Sequence, residues 1–381
     1  MSDGTHPTKG GRFAVISGGG TGGHVLQGLA IARALVDRGH SPGSIEMVGS
    51  ARGQEADLLA GEDFGLTLLP GRGLARRWDP EALVANAEAV WGLARATARE
   101  LVDLARGRPR VVVSVGGYAS FPADLAAVVL GVPLVLVNID AVPGLVHRLL
   151  GRWAAASAVS FPGTPLPRAE VTGTAVRQSI AAVGARLGQP SEVRRSLGLP
   201  PDRVVVGVVG GSLGARRINL AVVELARRWA DRPDVAIYHV TGRRDWEEVE
   251  RLAAGIETGS SYLRVPFERD MAAMYEAVDV MVCRAGAVTV AELAVTGTPA
   301  VLVPLPGAPG NHQEANARAL VEADAAVLLP DRRCDAAGLE HELEPLLHDP
   351  ARRAAMARAA QALGRPDAAE RVAELVEAHA R

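Results

Sequence analysis

Short apolar runs alternate with longer amphipathic stretches along most of the chain. "RFAVIS" (Arg12–Ser17) reads as a buried strand. A glycine-rich loop follows, then a helix from about Val25 to Arg38, whose Leu26, Leu29, Ala30, Ala34 and Leu35 share one face. Gly39 ends that helix. "SIEMVGS", "RVVVSVGG" and "VPLVLVNID" read as further strands, and Pro80–Gly107 and Pro122–Leu130 as helices. The same grammar restarts at Arg203: "RVVVGVVGGSLGARRINLAVVELARRW" is strand, glycine loop, helix. "VAIYHVTG", "YLRVPF", "VDVMVCR" and "PAVLVPL" supply later strands. Near-continuous apolar strands separated by helical patterns predict an α/β fold with parallel sheets covered on both faces.

The doubled grammar predicts two Rossmann-like, doubly wound domains over residues 1–172 and 173–360. They face a central cleft at the carboxyl ends of their strands. The closing helix, read over Ala351–Arg381, is a candidate to pack back on the first domain through residues 361–381.

Composition narrows the class. The chain has 381 residues, 48% of them hydrophobic and 22% charged, enough for two ordinary cores. A formal net charge of -2 argues against a dedicated nucleic-acid binder. Cys283 and Cys334 lie far apart and suggest a reducing, cytoplasmic compartment. The longest apolar stretch, Leu125–Val137, is split by Gly131 and Pro133 and is too short to span a bilayer. "GRGLARRWDPEALVANAEAVWGLARATAR" sets Leu74, Trp78, Leu83, Val84 and Trp91 beside Arg72, Arg76, Arg77, Arg95 and Arg99. That mixture fits an anionic membrane surface, and equally a core-facing helix with a solvated basic face.

The loops carry the chemistry. "GGGTGGH" contains Gly18-x-Gly20-x-x-Gly23, a pattern shared with dinucleotide sites. Such a site needs an acid at the end of the second strand to hold a ribose. Here the acid, Glu46, stands near the start of "SIEMVGS", which weakens a nicotinamide reading. His24 falls in the first helical turn beside the predicted anion site, where an imidazole can act as a general base or simply cap the loop. "GGSLGARRIN" is a second glycine loop, with Ser212 able to donate to a phosphate. In "CRAGAVTVAEL" a strand ends, a helix begins at about Ala287, and Glu292 follows one turn in. Loop amides there can face a diphosphate while the carboxylate accepts ribose hydroxyls. "GNHQEANA" offers His312, Gln313 and Asn316, and amides suit sugar hydroxyls because they both donate and accept. "SVGGYASFPADLAA" is another glycine turn opening a helix. "VNIDAVPG" places Asn138 and Asp140 at a strand end.

Together "GGGTGGHV", "GGYASFPA", "AVPGLVHRLL", "GGSLGAR", "FERDMAAMYEAVDVMVCRAGAVTVAEL" and "HQEANA" resemble the MurG-type glycosyltransferases, over about Phe13–Ala326. The resemblance implies a GT-B fold and inverting transfer of N-acetylglucosamine from UDP-GlcNAc to the lipid-linked acceptor lipid I, giving lipid II at the cytoplasmic membrane face. It implies no metal and no resident cofactor, and the chain has no Asp-x-Asp motif. The second domain would bind the UDP-sugar and the first the acceptor. Thr21, Gly22 and Gly23 would lie by the donor sugar and acceptor diphosphate, with His24 as the base or hydroxyl-orienting group. Arg177 would contact the nucleotide and Ser212 the donor phosphates. Ala287, Val288, Thr289, Val290, Ala291 and Glu292 would cradle UDP, with Glu292 on the ribose. Gln313 would contact the sugar, with Asn316 in the same segment, and uracil would meet Phe267 and Glu268.

The chain departs from the family at informative points. The family's "HEQN" or "HExN" is Val137-Asn138-Ile139-Asp140 here, so Asp140 replaces an asparagine and is a second candidate base. "GNPVR" is "GTAVR", and Glu268 replaces an aliphatic residue. Alternatives are a GT-B enzyme with another acceptor, a sugar-nucleotide epimerase, a nicotinamide oxidoreductase and a non-catalytic nucleotide-binding module. Nothing in the sequence specifies an oligomeric state.

Overall fold

Strand residues of alternating direction serve two different cores, and this is what layers each half of the protein. The computed structural model describes residues 11–19, 22–51, 59, 61–69, 80–185, 190–211, 214–256 and 261–381, the side chains of 80–83 and 185 excepted. It divides into two units, Met1–Ala175 with Asp367–Arg381, and Val176–Pro366.

The first unit contains β1 (Ala14–Gly18), α1 (Gly22–Asp37), β2 (Ile45–Ser50), β3 (Gly65–Leu69), α2 (Pro80–Gly107), β4 (Val111–Gly116), α3 (Phe121–Leu130), β5 (Leu134–Asn138), α4 (Leu145–Leu150), β6 (Ala156–Val159) and β7 (Ala169–Val171). Among the described residues the strands pair in parallel in the order β3-β2-β1-β4-β5-β6-β7. Ala14, Ile16, Val111, Val113, Val135 and Val137 point to one face, where Leu29, Ile31 and Leu35 of α1 close the core. Val15, Val112, Leu134 and Leu136 point to the other, against Ala96 and Leu104 of α2 and Ala123, Ala126 and Ala127 of α3. The small residues of α3 let that helix lie close to the sheet.

The second unit repeats the plan with α5 (Gln178–Ala185), α6 (Pro190–Ser196), β8 (Val204–Val209), α7 (Arg216–Arg228), β9 (Val235–Val240), α8 (Trp246–Ala253), β10 (Tyr262–Val265), α9 (Met271–Ala277), β11 (Val280–Cys283), α10 (Ala287–Thr296), β12 (Ala300–Leu302), α11 (His312–Val321), β13 (Ala326–Leu328), α12 (Ala336–His348) and α13 (Pro350–Leu363). Its sheet order is β10-β9-β8-β11-β12-β13, all parallel. Val206, Val208, Val280 and Val282 pack on Ile218, Val222 and Leu225 of α7 and on Leu339 and Leu343 of α12. Two α/β units of this kind are the GT-B architecture expected from the sequence.

The boundaries differ from the expectation in instructive ways. The first helix begins at Gly22, not Val25, so the glycines form its first turn. The helix read over Ala351–Arg381 is two, α13 and α14 (Ala368–His379), broken across Gly364-Arg365-Pro366. Proline removes a backbone donor and fixes φ, which ends a helix before it. Asp367 follows that break, and α14 belongs to the first unit, where Val372, Ala373 and Val376 join the core around α1. Arg38 and His40 bind the Glu377 carboxylate at 2.8 and 2.9 Å and secure this docking.

One buried acid works against the fold. Glu100 of α2 is 1% exposed, its Oε2 has no hydrogen-bond partner, and burial beside Asp103 and Glu46 pushes its carboxyl up to about 7. The unfolded chain ionises this group from about 4.5, so stability falls as pH rises from there towards 7. Glu100→Gln is expected to be about 1–3 kcal/mol more stable than the parent at about pH 8 and nearly equal at about pH 4.5. Denaturant titrations at both pH values check this, and equal gains at both would refute the assignment.

Candidate functional site

In each unit the strand order reverses at the sheet centre, between β1 and β4 and between β8 and β11. Helices that follow these neighbouring strands leave to opposite faces, and the carboxyl ends between them stay open to a ligand. The chemistry-bearing loops of the sequence emerge there.

In the first unit Gly18 pairs with Gly116 across an irregular step in the ladder. Gly117, at φ +84°, is so close to the preceding loop that a Cβ would overlap the Gly19 carbonyl oxygen. Gly22 and Gly23 open α1, and His24 is half-buried in its first turn. A Cβ built on Gly116 would lie 3.6 Å from His24 Nε2 and 3.2 Å from His147 Cε1, so one backbone position touches both imidazoles. Below lies a buried polar chain. The Asp124 carboxylate meets Ser17 Oγ and Ser114 Oγ, each at 2.6 Å. Ser114 Oγ is 3.2 Å from His147 Nε2, and His147 Nδ1 is 3.2 Å from Asn138 Oδ1. The Asn138 amide donates to the Asp140 main-chain carbonyl at 2.6 Å. Asp140, half-buried, thus follows directly from a strand end that the buried chain holds.

In the second unit α10 begins at the β11 end. Its first amides, at Ala287, Val288 and Thr289, head a helix whose dipole favours an anion. The loop before it is braced from two sides. Arg284 Nη1 donates to the Val303 and Pro304 carbonyls and pairs with Asp331 at 2.6 Å. Asn316, fully buried, donates to the Ala285 carbonyl at 3.2 Å. Asn316 thus supports the loop before α10 from within the fold. One turn into α10, Glu292 Oε2 accepts from Tyr275 at 3.0 Å and Oε1 lies 3.7 Å from Arg177. Burial pushes the Glu292 carboxyl up, and Arg177 and Tyr275 pull it back. Ala287 and Val290 are buried, while Val288, Thr289 and Ala291 are partly accessible. Gln313 Oε1 accepts from the Leu305 amide at 2.9 Å, leaving its own NH₂ as the available donor.

Phe267 is exposed, with the Arg243 guanidinium 4.6 Å from its ring centroid. Glu268 accepts from Tyr238 and from the Asp270 amide, the latter at 2.7 Å. Its carboxylate is thereby tied to the strand and turn beside it. Thr21 and Ser212 lie outside the described residues. Glu46 is paired with Arg12 at 2.9 Å and accepts from Thr67 at 2.7 Å, at the opposite end of β2 from the loops. A dinucleotide ribose would gain nothing from it.

Sequence reasoning did not single out Asp124, Ser17, Ser114, His147 or Tyr275. Ser17 and Ser114 sit at inward positions of otherwise apolar strands, and Asp124 sits among alanines. A polar residue in a buried run is the signal that could have found them.

Residues 14–159 match the glycosyltransferase family 28 N-terminal domain, and residues 205–372 the glycosyltransferase family 28 C-terminal domain. The UDP-N-acetylglucosamine--N-acetylmuramyl-(pentapeptide) pyrophosphoryl-undecaprenol N-acetylglucosamine transferase of Desulforudis audaxviator is 37% identical over 374 residues, covering 95% of this chain and 97% of that one. The protein of the same name from Nitratidesulfovibrio vulgaris (strain Hildenborough) is 40% identical over 370 residues, covering 95% and 96%. Among solved structures, Acinetobacter baumannii MurG superposes with a TM-score of 0.77 at 26% identity, over 97% of this chain and 100% of that one. A UDP-N-acetylglucosamine 2-epimerase from Neisseria meningitidis, at 12% identity and a TM-score of 0.62 over 96% and 99%, shares the fold.

The close approach at Gly117 gives a direct test. Gly117→Ala adds a methyl both at positive φ and against the Gly19 carbonyl, and is expected to cost about 2–4 kcal/mol in chemical denaturation. Gly131→Ala, at φ +70° with open space around it, is expected to cost about 1 kcal/mol. Equal losses would show that the loop contact contributes nothing.

Proposed function

The chain belongs to the MurG-type N-acetylglucosaminyltransferases of glycosyltransferase family 28, and on that premise we propose how its residues carry the reaction. It transfers N-acetylglucosamine from UDP-GlcNAc to undecaprenyl-pyrophosphoryl-MurNAc-pentapeptide, lipid I, giving lipid II. The observation that carries this is the identity of 37–40% over 95% of the chain with transferases named for that activity.

The second unit takes the donor. The α10 amino terminus receives the diphosphate, where amide hydrogens and the helix dipole stabilise the charge that builds on departing UDP. Glu292, oriented by Tyr275, accepts the ribose hydroxyls, and Arg177 adds positive charge beside it. Ser212 donates to the phosphates, Gln313 donates to the sugar, and uracil meets the backbone at Phe267 and Glu268. UDP-GlcNAc is a substrate, and the reaction as assigned uses no resident cofactor or metal.

The first unit takes the acceptor at the β1 and β4 loops. His24 removes the proton as the acceptor hydroxyl attacks the anomeric carbon from the face opposite UDP, which inverts the configuration. Asp140, held from below through Asn138, orients the hydroxyl. Thr21, Gly22 and Gly23 bring backbone donors to the acceptor diphosphate.

The acceptor is lipid-linked, and no helix among the described residues is long and apolar enough to cross a membrane. We assign peripheral attachment at the cytoplasmic membrane face to the first unit. Val84, Trp91, Val129, Leu145, Leu149 and Trp153 are exposed on neighbouring helical segments, with Arg95, Arg99, Arg148 and Arg152 exposed beside them. Apolar side chains ringed by arginine suit an anionic bilayer surface. Leu74, Trp78 and the arginines at 72, 76 and 77 lie outside the described residues.

UDP release from UDP-GlcNAc and a lipid I analogue tests the function. No turnover with that pair, combined with turnover on another acceptor, would overturn it. His24→Ala is expected to lower kcat by about 10²–10⁴-fold and Asp140→Asn by about tenfold or less. The reverse order would move the base to Asp140. Glu292→Ala is expected to raise the donor KM by about tenfold or more with a smaller change in kcat. Trp91→Asp with Leu149→Asp is expected to weaken co-sedimentation with anionic vesicles by about tenfold or more, and unchanged binding would remove the patch from the assignment.

A further inference from the structure

In the buried chain below His24, full hydrogen bonding sets the proton count. Asn138 Nδ2 donates to the Asp140 carbonyl at 2.6 Å, so its Oδ1 is the atom facing His147 Nδ1. That oxygen can only accept, and His147 Nδ1 therefore carries hydrogen. On the other side of the ring, Ser114 Oγ lies 3.2 Å from Nε2 and 2.6 Å from Asp124 Oδ2. Ser114 has one hydrogen for two neighbours. If it donates to Asp124, Nε2 either carries its own hydrogen, which charges the ring, or faces Ser114 without a bond. If it donates to Nε2, Asp124 Oδ2 carries the hydrogen and donates to Ser114. Every contact of the set is satisfied only when it holds one proton more than a carboxylate with a neutral imidazole.

We propose that Asp124, Ser114 and His147 form a buried relay that keeps this proton on Asp124 and thereby fixes the Asn138–Asp140 turn for transfer, with His147 as a positioning residue. The inference rests on the transferase reading above. Both groups are enclosed: Asp124 is 0% and His147 3% exposed. Burial pushes the Asp124 carboxyl up to about 6, and burial and the nearby His24 hold the His147 imidazole down to about 3. The Ser114, Ser17 and Ser120 hydroxyls pull the Asp124 carboxyl part of the way back.

The surroundings agree. Ser17 from β1, Ser114 from β4 and Ser120 from the turn before α3 face Asp124, all uncharged. His24 on α1 is the titratable group facing His147 from another element, besides Asp124 acting through Ser114. When the proton leaves, Ser114 donates to the carboxylate and His147 Nε2–H donates to Ser114. The bare Nδ1 then meets Asn138 Oδ1, lone pair against lone pair, and the Asn138 amide that donates to the Asp140 carbonyl loses its brace from His147. Positioning is thus complete at the acid side and decays as pH rises through the Asp124 titration.

Histidine-selective ¹⁵N NMR reads the relay without substrate, with His147 assigned by its absence in His147→Asn. The expected state at about pH 5, below the Asp124 titration, is a neutral ring with hydrogen on Nδ1. A neutral ring with hydrogen on Nε2, or a doubly protonated ring, would overturn the proposal. Transfer assays give the second reading. Asp124→Ala is expected to lower kcat by about tenfold or more with donor KM within about threefold. Asp124→Asn keeps a donor towards Ser114 and an acceptor towards Ser17, and is expected to recover most of that loss and to lack the alkaline decline of the parent. Failure of the asparagine variant to recover kcat, or an unchanged alkaline decline, would refute the relay. A parent protein that fails to turn over UDP-GlcNAc with the lipid I analogue would instead refute the transferase reading, whatever tautomer the spectra show.

Discussion

Parallel pairing of β1 with β4, and of β8 with β11, is the constraint on which the rest depends. A parallel strand buries both faces, so its residues must be apolar and its polar work must move to the ends. Where neighbouring strands send their helices to opposite faces, those ends stay uncovered. Glycine loops, helix amino termini and the few committed polar side chains collect there because the layering leaves nowhere else for them. The two units solve this in the same way and then diverge. One spends its ends on an imidazole and a carboxylate held from beneath, the other on a helix terminus with a buried acid one turn in.

Carboxylates show how far surroundings decide the role of one chemical group. Glu100 is buried beside other acids and only weakens the fold. Glu292 is equally enclosed but has a phenol and a guanidinium, so its oxygens are fixed in direction. Asp124 is surrounded by hydroxyls, which tolerate either protonation state and can pass a hydrogen along. The sequence carries these as three acids on three helices.

The alternation of apolar runs made the two-unit α/β architecture readable, because strand and helix periods differ and each glycine loop stood at a transition. The positions of His24, Glu292 and Gln313 were readable for the same reason: each stands a fixed distance after such a transition. The support that Asn316 of α11 gives to the Ala285 carbonyl was not legible, because that carbonyl is 31 residues away in sequence. Asp124, Ser114 and His147 were not legible, since they come from α3, β4 and α4 and meet only when three elements pack. Tyr275 is similar: its partner Glu292 is 17 residues away on another helix. The break at Gly364-Arg365-Pro366 was visible in composition but was overridden by the helical pattern on both sides of it.

The return of α14 to the first unit makes the second unit, in effect, an insertion within the first. During synthesis, residues 176–366 can complete their own core as soon as they have left the ribosome. The first unit cannot: Val372, Ala373 and Val376, which close its core against α1, are translated after the whole of the second unit. Domains that fold as units then mature in the reverse of their order of appearance, and the half that carries His24 is the later to become complete. The first turn of α1, with His24 in it, therefore reaches its final packing only after the whole of the second unit has been made.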